Sequence, residues 1–108
     1  MSDYREDLLT DLADPEYAAE YITAAHRESR EAFLLALRDV VEAQDGMKKV
    51  AAEAGVNREN LYRMLSEDGN PRLSSLDSVL AALGMEAVFV PSGDTPGNKP
   101  GASLRPAT

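Results

Sequence analysis

The chain has 108 residues and a formal net charge of −8, with 16 alanines, no tryptophan and no cysteine. This length suits one compact domain, and the missing cysteines exclude disulfides, thiolate metal ligands and cysteine nucleophiles. No apolar run approaches the ~20 residues that span a bilayer, and the first residues lack the basic and apolar regions of a signal peptide. We therefore expect a soluble cytoplasmic protein with no membrane association.

The N-terminal segment, residues 1–13, is acidic and contains a small leucine cluster. We expect it to form either a frayed helical turn or a disordered arm. The segment Asp14-Pro15-Glu16 predicts a helix start, because Asp caps the helix, Pro suits its first position and Glu complements its dipole. The apolar periodicity of this helix continues to about Glu28, and Ser29 is placed to cap the next helix.

That next helix is predicted to close near Gly46, and a short helix follows from about Met47 to Ala54. Gly55 ends this short helix because glycine adopts a positive φ without steric cost. Asn57 is placed to cap another helix over about 58–65. After a loop, Ser74 and Asp77 form a capping-box-like start for a last helix that Gly84 terminates.

The segment after the last helix, about residues 86–90, is apolar and is predicted to be a β-strand that Pro91 stops. Residues 91–108 are rich in Pro, Gly, Ser and Thr and are predicted to be a disordered tail. The expected fold is therefore all-α, with five helices over residues 14–90 and one short C-terminal strand.

The spacing of Ala51, Gly55 and Leu61 predicts a helix-turn-helix, with a small residue at the helix crossing, a glycine at the turn and an aliphatic residue between the helices. The helix over 58–65 would then be the recognition helix. An all-helical domain with an incidental turn of this shape is the alternative. The charge pattern is compatible with DNA, because residues 47–72 carry +1 whereas residues 1–46 carry −8.

The predicted recognition helix exposes residues that suit double-stranded DNA. Arg58 suits the O6 and N7 atoms of guanine, and Asn57 or Asn60 suits adenine. Residues placed for phosphates lie further along or on neighbouring elements. The predicted phosphate contacts are Lys48, Lys49, Tyr62, Arg63 and Arg72.

Each of these side chains also has a plainer interpretation, because exposed cations on helices are usually only solvated. Glu59 either accepts from a cytosine or stabilises the helix start. His26 has no ligand-type residue at metal-binding spacing, and the acid pairs lack the apolar setting that acid–base catalysis requires. No glycine-rich phosphate loop is present. We therefore predict no enzymatic activity, no metal and no cofactor.

The predicted strand has no partner within the chain, and a lone strand leaves its backbone unpaired. Pairing with a second copy through Val88, Phe89 and Val90 would give a homodimer that reads two DNA half-sites. The segment could instead add to a sheet of another protein or lie against its own helices.

Three stretches, residues 14–21, 32–40 and 61–72, carry a resemblance to a known family. They resemble addiction-module antidote proteins, which are HigA-like antitoxins with a lambda-repressor-like, Cro/C1-type helix-turn-helix. The similarity covers about residues 12–90, and the run Leu-Ser-Glu-Asp-Gly-Asn-Pro is its most specific part.

This resemblance implies a bacterial type II toxin–antitoxin role. Such a protein binds an operator, represses its own operon and neutralises a RelE/ParE-like, HigB-type toxin. The family's DNA-reading positions correspond to Arg58, Asn60 and Arg63, with Lys48 and Asn57 in support. A stand-alone transcriptional repressor and a protein-binding inhibitor that does not read DNA remain the alternatives.

Overall fold

The computed structural model describes residues 2–92, and most of the tail predicted over 91–108 lies outside the described residues. Within residues 2–92 the regular secondary structure is all helical, with six α-helices and no strand. None of these helices is long and apolar enough to cross a lipid bilayer. The helices are α1 (Ser2–Leu12), α2 (Pro15–Glu28), α3 (Arg30–Gln44), α4 (Gly46–Ala54), α5 (Arg58–Met64) and α6 (Leu73–Ala82).

The predicted starts of α2 and α3 are confirmed at the level of hydrogen bonds. The Asp14 side chain accepts from the backbone N–H of Glu16, with an N···O distance of 3.3 Å. The Ser29 hydroxyl accepts from the N–H of Ala32 at 3.0 Å. These bonds satisfy N–H groups that have no partner within the helix, and so they fix the boundaries of both helices.

The prediction of a frayed turn or disordered arm over residues 1–13 was wrong. This segment contains α1, so the described residues form six helices and not five. Helix α1 packs against α2 and α3, its Leu12 side chain is fully buried, and the Gln44 amide donates to the Leu12 carbonyl at 3.3 Å. Tertiary contacts of this kind stabilise a helix that is too short to persist alone in water.

The strand predicted over 86–90 is not formed, because no other segment within residues 2–92 pairs with it to complete a β-ladder. A further difference concerns the start of α6, where Arg72 is the N-cap and gives no side-chain hydrogen bond, so Ser74 does not cap this helix. The predicted end of α6 agrees with the structure, since Gly84 has a φ of 75°.

The core lies between all six helices and is aliphatic, as the small and branched side chains of the sequence favour. Helix α3 contributes more of it than any other helix, and α4 connects the α1–α3 half to α5 and α6. The buried apolar residues are Leu12, Ala18, Ile22, Leu34, Ala36, Leu37, Val40, Val41, Met47, Val50, Ala51, Leu61, Leu65, Val79, Leu80 and Leu83.

One carboxylate is buried among these aliphatic side chains. Asp39 of α3 is 5% exposed, and it accepts from the Arg5 guanidinium at 2.9 Å and from the Tyr21 hydroxyl at 3.0 Å. Arg5 also contacts the more exposed Glu42 carboxylate. These bonds compensate for the desolvation of Asp39, and they join α1, α2 and α3 at one point.

Tyr21 predicts a pH dependence of stability. Burial, and then the hydrogen bond to Asp39, raise the pKa of Tyr21 from 10.0 to about 12. The fold thus favours the neutral phenol, and its contribution is present below pH 10 and lost as the pH rises from 10 to 12. We expect Tyr21→Phe to flatten the decline of unfolding free energy in this window, measured by urea titration at pH 9 to 12. An unchanged slope in Tyr21→Phe, or the same flattening in the exposed control Tyr17→Phe, would contradict this assignment.

The loop between α5 and α6 depends on a glycine. A Cβ atom at Gly69 would lie 2.1 Å from the carbonyl oxygen of Met64 and 2.9 Å from that of Ser66. Both contacts are with backbone, which yields less easily than a side chain. We expect Gly69→Ala to lower the free energy of unfolding by about 2 kcal/mol, measured by urea denaturation. The exposed neighbour Asn70 supplies the control, and a Gly69→Ala variant as stable as Asn70→Ala would show that the loop relaxes freely.

Candidate nucleic-acid interface

Helices α4 and α5 are separated by a tight turn at Gly55. Gly55 has φ 78° and ψ 26°, in the left-handed region that glycine adopts readily. The Val56 N–H donates to the carbonyl of Ala51 at 3.0 Å, which closes the end of α4. Ala51 is buried, as expected where two short helices approach closely. The predicted interruption between the two helices is therefore present.

Helix α5 begins where the sequence predicted. The Asn57 side-chain oxygen accepts from the N–H of Asn60 at 2.7 Å, and this bond caps the helix. Leu61 and the adjoining Leu65 are buried beneath α5, whereas Met64 is partly buried. The aliphatic side of α5 therefore holds the helix against the core.

The opposite side of α5 is open to solvent and carries polar and charged groups. Its exposed residues are Arg58, Glu59, Asn60, Tyr62 and Arg63. Two contacts order this surface. The Arg58 guanidinium carbon lies 5.9 Å from the centre of the Tyr62 ring, and the Arg63 guanidinium donates to the Asn60 side-chain oxygen at 3.2 Å. Neither contact covers the surface, and the Arg58 guanidinium makes no hydrogen bond within the described part of the chain.

The structure distinguishes between Asn57 and Asn60, the two asparagines that sequence analysis predicted as adenine contacts. Paired recognition of adenine requires the amide oxygen to accept and the amide nitrogen to donate. The Asn57 oxygen is occupied by the helix cap, so Asn57 is better suited to positioning α5 than to reading a base. Within the described chain the Asn60 oxygen accepts only from the exposed Arg63, a contact that a base can replace at small cost.

The two lysines in the first turn of α4 differ in their partners. Lys49 lies 3.6 Å from the Asp45 carboxylate in an exposed ion pair, whereas Lys48 has no ion-pair partner among residues 4–92. Asp45 is the N-cap of α4 and its side chain makes no capping bond. Lys48 is therefore the freer cation for a phosphate group.

The remaining predicted contacts lie elsewhere on the fold. Arg72 is exposed at the start of α6, which packs against α4, as α5 does. Its neighbour Leu73 is 71% exposed, although helical spacing with Leu76 and Leu80 would assign it to the core. Sequence analysis did not single out Leu73. The predicted dimer residues Val88, Phe89 and Val90 follow α6 and are not part of the α4–α5 surface.

Comparison with known proteins identifies the family of this chain. The family described as "Probable addiction module antidote protein" matches residues 4–91, a span that includes all six helices except the first residues of α1. A protein of Haemophilus influenzae named "Uncharacterized protein" is 33% identical over 81 residues, which are 74% of this chain and 82% of the relative. No solved structure is a significant match to the chain. Because the family match covers most of the chain and includes the whole α4–α5 surface, the chain belongs to the family of probable addiction module antidote proteins.

Proposed function

We propose that this chain is the antitoxin of a type II toxin–antitoxin module. It binds its own operator through a Cro/C1-type helix-turn-helix formed by α4 and α5, and it represses the operon. It also neutralises a RelE/ParE-like, HigB-type toxin, acting in the cytoplasm by binding alone and not as an enzyme. The family name supports the antidote role. The exposed polar side of α5, backed by buried Leu61 and Leu65, is the observation that carries DNA binding.

In this proposal α5 enters the major groove and Arg58 provides the main base contact. Among the described residues its guanidinium has no competing hydrogen bond, so two of its N–H groups can reach the O6 and N7 atoms of guanine. Asn60 contacts a neighbouring base. Tyr62 and Arg63, further along α5, contact phosphates and set the orientation of the helix.

The flanking cations fix the position of the protein on the duplex. Lys48 contacts a phosphate at the start of α4, and Arg72 contacts another at the start of α6, with Lys49 in support. Residues 47–72 carry a net charge of +1, whereas residues 1–46 carry −8 and residues 73–108 carry −1. Charges beyond the Debye length of about 8–10 Å are largely screened, so the acidic N-terminal helices lower the affinity without abolishing binding.

The acidic half of the molecule supports a basic toxin as the protein partner. Residues 1–46 hold 12 acidic and 4 basic side chains, and most of the acids in α1 and α2 are exposed. Complementary charge accelerates association and helps to exclude wrong partners. The two proposed partners thus meet regions of opposite net charge.

The proposal is tested by titrating the full chain against the DNA upstream of its own gene, at two salt concentrations. We expect this fragment to bind more tightly than random DNA of equal length, with an affinity that falls as salt rises. Equal affinity for both fragments would contradict operator recognition. Co-expression with the adjacent gene tests the antidote role, because the chain should relieve growth arrest and co-purify with that gene's product.

A further inference from the structure

The segment that follows α6, residues 86–90, has no backbone hydrogen-bond partner among residues 2–92, and its side chains are exposed. Met85 is the last residue with a backbone hydrogen bond to α6, its N–H donating to the Leu80 carbonyl at 2.8 Å. Residues 86–90 make no hydrogen bond within the described part of the chain. Their apolar side chains are open to solvent, with Val88 72%, Phe89 96% and Val90 57% exposed.

An exposed extended segment of this composition is unusual in an isolated molecule. Valine and phenylalanine favour strands, and unpaired backbone N–H and C=O groups provide a template for another strand. Native proteins normally protect such edges with charge, proline or a covering element. Here Glu86 is the only charged residue in the segment, and Pro91 stands just outside it.

We propose that residues 86–90 pair antiparallel with the same residues of a second copy of this chain, with Val88 opposite Val88 across a twofold axis. This register uses every residue from Glu86 to Val90 and leaves Pro91, which cannot donate, outside the ladder. It places the small Ala87 opposite the large Phe89 on one face of the sheet. On the other face, the Val88 side chains meet at the axis.

The charge and symmetry of the segment favour a second copy over another protein. The two Glu86 side chains stand at opposite ends of the ladder, so self-pairing brings no like charges together. A basic partner such as the proposed toxin would be attracted only weakly to residues 86–90, since most of the acidic side chains lie on α1–α3. An isologous contact also closes on itself and leaves no free edge for further growth on the paired side.

The evidence for the pairing comes from residues 86–90 and does not depend on the proposed function. If that function is correct, the pairing also affects DNA recognition. A twofold dimer presents two copies of α5, and dimeric helix-turn-helix proteins read half-sites separated by about one turn of DNA, ~34 Å. Helix α5 has only seven residues, so two copies supply base contacts that one copy cannot.

The oligomeric state of the full chain tests the proposal. We expect sedimentation equilibrium to give twice the chain mass for the wild type and the mass of one chain, 11.7 kDa, for Phe89→Asp. Leu35→Asp is the matched control, because it places the same charge on a leucine that is 57% exposed on α3, and it should remain dimeric. Circular dichroism should show equal helix content in all three proteins. A monomeric wild type, or a dimeric Phe89→Asp, would overturn the pairing.

Single cysteines test the register, because the natural chain contains none. Opposed residues in an antiparallel pair have Cα atoms about 4.5–5.5 Å apart, within the range that a disulfide requires. Val88→Cys should therefore form a covalent dimer on mild oxidation. Glu86→Cys should not, since its two copies are offset by four residues, or about 13 Å. Equal cross-linking of both variants would overturn the register.

The outcomes separate this inference from the proposed function. A wild-type monomer that still prefers its own upstream DNA would overturn the pairing and leave operator recognition intact. A dimer that shows no DNA preference would support the pairing and contradict operator recognition.

Discussion

Arg58→Ala is expected to weaken binding to the DNA upstream of the gene by about 1–3 kcal/mol, or roughly 5- to 150-fold, and to change binding to random DNA much less. Its guanidinium is exposed and contacts only the Tyr62 ring within the described chain, so the loss falls on base recognition and not on folding. The measurement is a fluorescence anisotropy titration on both DNA fragments at one salt concentration.

Lys48→Ala is the matched control for this prediction. Lys48 is also an exposed cation without an ion-pair partner among residues 4–92, but it lies on α4, where a phosphate is the expected contact. Its loss should weaken binding to both DNA fragments by the same factor. It should also reduce the slope of log affinity against log salt by about 1. Equal losses on operator and random DNA for both variants would remove the distinction between base and phosphate contacts.

Arg5→Ala is expected to lower the free energy of unfolding by about 3 kcal/mol, because it leaves the buried Asp39 carboxylate without its cation. Tyr21 still donates to Asp39 but carries no charge to balance it. The same guanidinium contacts Glu42, whose side chain is 42% exposed and remains hydrated when the contact is lost. The effect therefore comes almost entirely from Asp39, and it is measured by urea denaturation at pH 7.

A double-mutant cycle separates this charge effect from lost packing. In an Asp39→Asn background no buried charge needs compensation, so Arg5→Ala should cost much less there than in the wild type. Glu42→Gln should change stability by at most about 1 kcal/mol, as is usual for exposed pairs. A cost of Arg5→Ala that is the same in both backgrounds would show that the arginine acts through its alkyl chain.

Most helix boundaries were predictable because single residues determine them through local bonds. Asp14, Ser29 and Asn57 cap the helices that follow them, and Gly55 ends the helix before it. These signals lie within three residues of the boundary, so a single sequence contains them. The exposed side of α5 followed from the same local periodicity, with Leu61 and Leu65 turned inward.

The features that were missed depend on contacts between distant residues. Helix α1 is held by contacts with residues far along the chain, such as the bond from Arg5 to Asp39 across 34 residues, and no local pattern contains such contacts. A partial signal was present, since Asp39 lies at helical spacing between Ala36 and Ala43 on a largely apolar face. The prediction of a strand over 86–90 was wrong because composition indicates only that a segment favours the extended conformation. It does not show whether a second strand lies beside it.

The contacts along α5 also bear on the thermodynamics of DNA binding. Arginine and asparagine side chains usually lose rotamer freedom when they settle on a duplex. Here Asn60 already holds Arg63, Tyr62 already supports Arg58, and the cap at Asn57 fixes the first turn. Under the proposed function, folding therefore removes part of the rotamer freedom of these side chains before DNA binds, which lowers the conformational-entropy cost of recognition by this seven-residue helix.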